Sequence, residues 1–254
     1  MQFTLALPPI EEMVWQDHLF VMPIAEYFSE AMLDLLTPDE KARAGRFIPA
    51  PARQQYIATH WLKGAILSRY TGVPAPALRY AQNSYGKPHL ADTGCGIHFN
   101  ISHADGYAAV MISTRHEVGV DIEVPRQGVD LAGLADFTFH AGEIAAMQGK
   151  PVSVEALYRY WTLKEAATKA LGLGLSLPFT DVLLQEGANQ RYRYIDADAH
   201  TWALSHLRLA SGAYLSFCAP GQETACKLLM LTKEREQGAF NTLPLSTQWL
   251  INDC

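Results

Sequence analysis

Hydrophobic and polar positions change period several times along this 254-residue chain. Residues 52–70 carry apolar side chains at helical spacing, and Thr71-Gly72 with Pro74 behind it supplies a stop. Thr37-Pro38-Asp39-Glu40 reads as an earlier helix start, with Pro in the first turn and two acids near the N-terminal dipole. From residue 78 the pattern shortens to strand-like runs at 78–82, 97–102, 107–113 and 118–124. They are separated by Asn83-Ser84-Tyr85-Gly86, by Asp105-Gly106 and by the polar stretch 114–117. Links this short between the later runs argue for antiparallel pairing. Helical spacing returns at 140–148 and, strongly, at 153–171, where Gly172 and Gly174 act as stops. Further strands are predicted at 180–185, 201–209, 213–218 and 228–232.

The order helix, strands, helix, strands predicts an α+β chain of two similar layers, each pairing a helix with a small antiparallel sheet. The expected division is 1–114, 115–234 and a C-terminal tail at 235–254, in which Trp249 and Leu250 offer a docking point.

Composition narrows the class. Hydrophobic residues make up 49% and charged residues 18%, which excludes disordered, collagen-like and coiled-coil chains. A net charge of −6 argues against whole-surface attraction to nucleic acid or to an anionic membrane. The charge is uneven, however. Residues 41–91 contain eight basic side chains (Lys41, Arg43, Arg46, Arg53, Lys63, Arg69, Arg79, Lys87) and no Asp or Glu. That is the pattern of a solvated basic face or of a local site for an anionic ligand. Cys95, Cys218, Cys226 and Cys254 lack metal or redox spacing and read as reduced thiols of a cytoplasmic protein. The N-terminus lacks the features of a signal peptide, and no apolar run reaches membrane-helix length.

Candidate chemistry comes from four short stretches. In Gly119-Val120-Asp121-Ile122-Glu123, strand alternation turns Val120 and Ile122 to a core and brings Asp121 and Glu123 out together on the opposite face. Such a pair is a site for Mg²⁺ or Mn²⁺, although D-x-E on an exposed strand is ordinarily just solvated. The helix carrying Trp161-Thr162-Leu163-Lys164-Glu165-Ala166-Ala167-Thr168-Lys169 has an apolar face of Ala156, Tyr160, Leu163, Ala167 and Ala170. Tyr158, Trp161, Glu165, Thr168 and Lys169 form its second face, and two large aromatics there call for a cover. A surface Glu–Lys pair at i, i+4 is the plain alternative. Phe99-Asn100-Ile101-Ser102-His103 delivers a hydroxyl and an imidazole at a strand end, where a capping Ser and a surface His are equally common. Tyr85-Gly86-Lys87-Pro88 presents a lysine on a turn. P-loop, dinucleotide-binding and serine-hydrolase motifs are absent from the sequence.

Taken in order, Y-G-K-P, F-N-I-S-H, G-V-D-I-E and W-T-L-K-E-A-A-T-K resemble the signature series of the Sfp-type 4′-phosphopantetheinyl transferases, over residues 38–173. The resemblance implies a pseudo-dimer of two α/β halves with coenzyme A (CoA) and Mg²⁺ in the cleft between them. It also implies transfer of the 4′-phosphopantetheine arm of CoA to a serine of an acyl or peptidyl carrier protein, releasing adenosine 3′,5′-bisphosphate. On this resemblance Asp121, Glu123 and Glu165 surround the metal, and Lys169 lies near the reacting phosphate. Ser102 and His103 contact the 3′-phosphoadenosine end, with His103 counted also among the catalytic groups. Lys87, Arg53 and, more loosely, Arg46 lie toward CoA. Glu165 is expected to accept the carrier-serine proton, directly or through a metal-bound water. A monomer is expected. A Mg²⁺-dependent hydrolase of CoA-like pyrophosphates and a non-catalytic CoA-binding module remain the competing readings.

Overall fold

Side-chain and backbone caps set the ends of the helices. The computed structural model describes residues 11–12, 15–91, 94, 96–188, 190–222, 226–234 and 237–242, with side chains as far as residue 231. These fall into two compact units. One lies within Met1–Ala81, Pro88–Arg115 and Ala225–Cys254; the other lies within Gln82–Lys87 and His116–Thr224.

In the first unit, strand β1 (Asp17–Pro23) leads into a one-turn helix, α1 (Ile24–Tyr27). Thr37 then opens α2 (Pro38–Ala44) with a capping box, in which its hydroxyl accepts from Glu40 N and the Glu40 carboxylate accepts from Thr37 N at 3.0 Å. Helix α3 (Ala50–Thr71) ends at Gly72, whose φ of 73° closes the helix in the left-handed region. Short strands β2 (Tyr80–Gln82) and β3 (Pro88–Leu90) pair with each other, and β4 (His98–Ala104) and β5 (Tyr107–Ser113) form the predicted hairpin. Trp61, Leu62 and Ile66 of α3 pack on Phe20 of β1 and on Val110 and Ile112 of β5.

In the second unit, β6 (Gly119–Glu123) is followed by α4 (Leu131–Thr138), α5 (Ala141–Ala146) and α6 (Val154–Leu171). Ser153 caps the start of α6 by accepting from Ala156 N, and Gly172, at φ 74°, closes it. Strands β7 (Gln185–Glu186), β8 (Arg191–Ile195), β9 (Thr201–Arg208) and β10 (Tyr214–Pro220) complete an antiparallel sheet in the order β6-β10-β9-β8-β7. Leu163, Ala167 and Ala170 of α6 pack on Leu204 and Cys218, which makes the predicted apolar face the core face.

The last two strands, β11 (Cys226–Glu234) and β12 (Gln237–Thr242), return to the first unit, whose sheet runs β12-β11-β1-β5-β4. The chain is thus α+β, and each unit carries one long helix on a five-stranded sheet. The make-up of the first sheet departs from the expectation in two ways. The first sheet is not wholly antiparallel, because β1 and β11 pair in parallel with Asp17 opposite Cys226. Residues 226–234, placed by sequence with the C-terminal half, therefore belong to the first sheet, and β12 extends that sheet with residues assigned to the tail. A period-two run identifies a strand but not its partner. Trp249 and Leu250 lie outside the described residues, as do Cys95 and Cys254.

The predicted strand at 180–185 is instead a 3₁₀ turn, Phe179–Asp181, followed by the two-residue β7. Val182 and Leu184 are buried here outside any strand, and Leu184 N donates to the Glu143 carboxylate at 2.9 Å. Cys218 and Cys226 are free thiols. Among the described residues, no helix is long and apolar enough to cross a membrane.

Candidate active site

The site in the second unit starts from a glycine. At Gly119 the backbone of β6 runs so close to α6 that an added Cβ would lie 2.0 Å from Ala166 O and 2.5 Å from Ala170 N. Strand alternation then turns Asp121 and Glu123 to the same side as Gly119, and Val120 and Ile122 to the other. Both sides are covered. Val120 and Ile122 are fully buried, Asp121 is only 2% exposed and Glu123 is partly buried, so the acid face lies against α6 rather than forming a freely solvated pair. Above Asp121 lies the face of α6 that carries Glu165 and Lys169.

Lys169 fills that space. Its Nζ lies 2.7 Å from Asp121 Oδ1 and 2.8 Å from Glu165 Oε2, with the lysine side chain 25% exposed. Burial pulls the ammonium's pKa down, but the two carboxylates outweigh it and hold the group above the ordinary lysine range. One cation therefore gathers an acid from the strand and an acid from the helix.

Toward the N-terminal end of α6 the same face carries Trp161 and Tyr158. The Tyr158 hydroxyl accepts from Arg126 N at 3.0 Å and so fixes the chain leaving β6. Between them, Glu123, Arg126, Leu134, Tyr158 and Trp161 help line a cavity of about 250 Å³. Beside Asp121, in register with it on β10, buried Ser216 shares hydrogen bonds with Thr162 Oγ1 (2.7 Å) and His206 Nδ1 (3.0 Å). Burial first, then the nearby Arg159, depresses the His206 pKa to about 3.

Asp121, Glu123 and Glu165 are all hard oxygen donors, and Lys169 offers a single positive charge against their three negative ones. Two of the carboxylates already meet at one cation. That donor set fits Mg²⁺ or Mn²⁺ and does not fit a soft metal.

The residues expected to face CoA are placed less uniformly. In the first unit, Ser102 and His103 are successive residues of β4, so they point to opposite faces: Ser102 is buried and His103 is exposed. Arg53 Nη1 donates to both carboxylate oxygens of Glu30, at 2.8 and 2.9 Å, and Arg46 is exposed just beyond α2. Lys87 belongs to the second unit and is not an open cation. Its ammonium donates to Glu117 Oε2 (2.5 Å), Val118 O (3.1 Å) and Ala170 O (3.0 Å).

The acid-free segment is therefore less basic in three dimensions than in sequence. Lys63 is buried against Glu40, and Arg53, Lys63 and Lys87 each meet an acid from outside 41–91. Sequence reasoning missed Glu117, Gly119 as a close-approach point, the Tyr158 anchor and the Ser216 network. A glycine inside a strand pattern was the available signal for Gly119.

Comparison with known proteins identifies the family. The model of the 4′-phosphopantetheinyl transferase superfamily matches residues 117–218, which include β6, α6 and the acids they carry. The N-terminal model of a 4′-phosphopantetheinyl transferase matches residues 22–115. The 4′-phosphopantetheinyl transferase HetI of Nostoc sp. is 33% identical over 166 residues, spanning 63% of this chain and 70% of that protein. The 4′-phosphopantetheinyl transferase gsp of Aneurinibacillus migulanus is 30% identical over 155 residues, 60% of this chain and 63% of that protein. With a 33% identical relative covered over 70% of its length and a family model matched in each unit, the chain belongs to the 4′-phosphopantetheinyl transferase superfamily.

Proposed function

We propose that this protein transfers the 4′-phosphopantetheine group of CoA to a serine hydroxyl of an acyl or peptidyl carrier protein and releases adenosine 3′,5′-bisphosphate. The observation that carries the proposal is the convergence of Asp121 and Glu165 on Lys169 within a chain of this superfamily. Mg²⁺ dependence, a cytoplasmic location and a monomeric state belong to the same proposal.

In this reading the P–O bond between the bridging oxygen and the pantetheine-bearing phosphorus of CoA breaks as the serine oxygen bonds to that phosphorus. Glu165, half-buried at the rim of the acid face, takes the serine proton. Lys169 moves from its two carboxylates to the phosphate oxygens where negative charge collects. Asp121, Glu123 and Glu165 would hold Mg²⁺, which when bound neutralises pyrophosphate charge. Ser102 and His103 are assigned to the 3′-phosphoadenosine end of CoA, with exposed His103 rather than buried Ser102 offering its side chain, and Arg53 and, more loosely, Arg46 to CoA phosphate. Arg53 would leave Glu30 to do so, and a surface pair of this kind holds it by only about 0–1 kcal/mol. Lys87 is left out of this set because all three of its ammonium protons are engaged elsewhere.

The reading is tested by following CoA and adenosine 3′,5′-bisphosphate chromatographically with and without apo carrier protein. Bisphosphate release that requires the carrier and equals the holo-carrier formed supports transfer. CoA breakdown that is indifferent to the carrier points to a pyrophosphate hydrolase, and CoA binding without breakdown points to a binding module.

A further inference from the structure

We propose that Lys87 is a positioning residue for the transfer reaction: its ammonium ties the end of α6 to the start of β6 and so fixes the register in which Lys169 and Glu165 meet Asp121. The proposal rests on the transferase reading given above.

The three acceptors of the ammonium come from two directions. Ala170 O belongs to the last turn of α6 and directly follows Lys169, while Glu117 and Val118 lead into β6, with Asp121 three residues beyond. The last carbonyls of a helix have no partner within it, and a cation there also meets the negative end of the helix dipole. Lys87 therefore caps α6 from a remote part of the sequence.

The turn that carries Lys87 is itself fastened to the helix. Asn83 Nδ2 donates to Gly172 O at 2.8 Å, and Asn83 Oδ1 accepts from Tyr85 N (3.0 Å) and Lys87 N (2.9 Å). Helix and strand are thus pinned twice, by backbone contact at Gly119 and by Lys87 one turn further along. A compact ammonium with three rotatable donors suits three separate acceptors, whereas the flat fork of arginine does not. The lysine side chain is 11% exposed, which leaves little of it to meet a ligand.

Three variants of the full chain test this: Lys87→Met, Lys87→Arg and Glu117→Gln. The measurements are kcat with apo carrier, the CoA dissociation constant by calorimetry, and amide hydrogen exchange at residues 168–174. A clamp predicts that Lys87→Met and Glu117→Gln lower kcat about tenfold or more, leave CoA affinity within about twofold and speed exchange at the α6 end. Arginine should not rescue Lys87.

The proposal is overturned if Lys87→Met weakens CoA binding, Glu117→Gln tightens it and Lys87→Arg restores activity, because Lys87 would then be a phosphate cation held back by Glu117. If Lys87→Met does not fold, Glu117→Gln decides alone, since it keeps the ammonium and both carbonyl contacts. Exchange is read without CoA or carrier. A wild-type protein that transfers nothing would remove the transferase reading, and unchanged protection in both variants would separately remove the clamp.

Discussion

Gly119 of β6 and Ala166 of α6 touch through their backbones, with no space for a β-carbon between them. This contact sets the depth at which α6 lies on the strand, and hence how far Lys169 and Glu165 are from Asp121. Gly119→Ala forces the helix outward. Overpacking of this kind costs about 1–3 kcal/mol, read as a lower urea midpoint, and transfer activity should fall with it. Gly45→Ala is the matched control: its backbone is already helical, an added Cβ makes only ordinary contacts at 3.6 Å, and stability should not drop.

Glu165→Gln keeps the shape of the helix face and removes the proposed proton acceptor. CoA binding should remain within about threefold of wild type while carrier modification slows by about 10²–10⁴. Near-normal turnover in this variant would exclude Glu165 as the base.

Lys164, the neighbour of Glu165 on α6, is fully buried and donates to Glu143 Oε2 (2.6 Å) and Phe179 O (2.9 Å). It anchors α5 and the 3₁₀ turn to α6. Removing one member of such a pair strands the other, so Lys164→Met should cost about 3–5 kcal/mol. The Lys164→Met/Glu143→Gln double variant should recover part of that loss in the same urea titration, and strict additivity would contradict the pairing.

Two buried histidines give the fold an acid limit. Burial holds the pKa of His18 down to about 4 and that of His206 to about 3, against 6.5 for an exposed imidazole. Between those values the unfolded chain binds more protons than the folded one, so stability falls as pH drops from about 6.5 toward 4. Glu40, held near 2 against burial by His60 and Lys63, adds a second loss that starts only below its ordinary value of 4.5. Unfolding midpoints at pH 7.5, 6 and 5 therefore report the histidines, and His206→Asn should flatten the slope across that range.

Much of this architecture could be read from the chain because the signals were local. The helix start at Thr37-Pro38, the helical spacing at 52–70 and 153–171 and the stops at Gly72 and Gly172 place the start of α2 and both ends of α3 and α6 within a few residues of those observed. Asp121, Glu165 and Lys169 likewise stand in short motifs on a strand and a helix that meet. What escaped was non-local or unpatterned. Residues 18–22 of β1 are all buried, so the strand shows a continuous apolar run in place of alternation. Its parallel partner β11 comes from the far end of the chain. The acid-free segment showed its charge but not its pairing for a similar reason, since the carboxylates that meet Lys63, Arg53 and Lys87 lie outside it in sequence and beside it in space.

The most direct test of transferase function is the intact mass of an apo acyl or peptidyl carrier protein after incubation with this protein, CoA and Mg²⁺, with and without EDTA. The account predicts a gain of one phosphopantetheine per carrier that is lost with EDTA and restored by excess Mg²⁺. An unchanged carrier mass across acyl and peptidyl carriers, under conditions where the protein is folded and binds CoA, would contradict it.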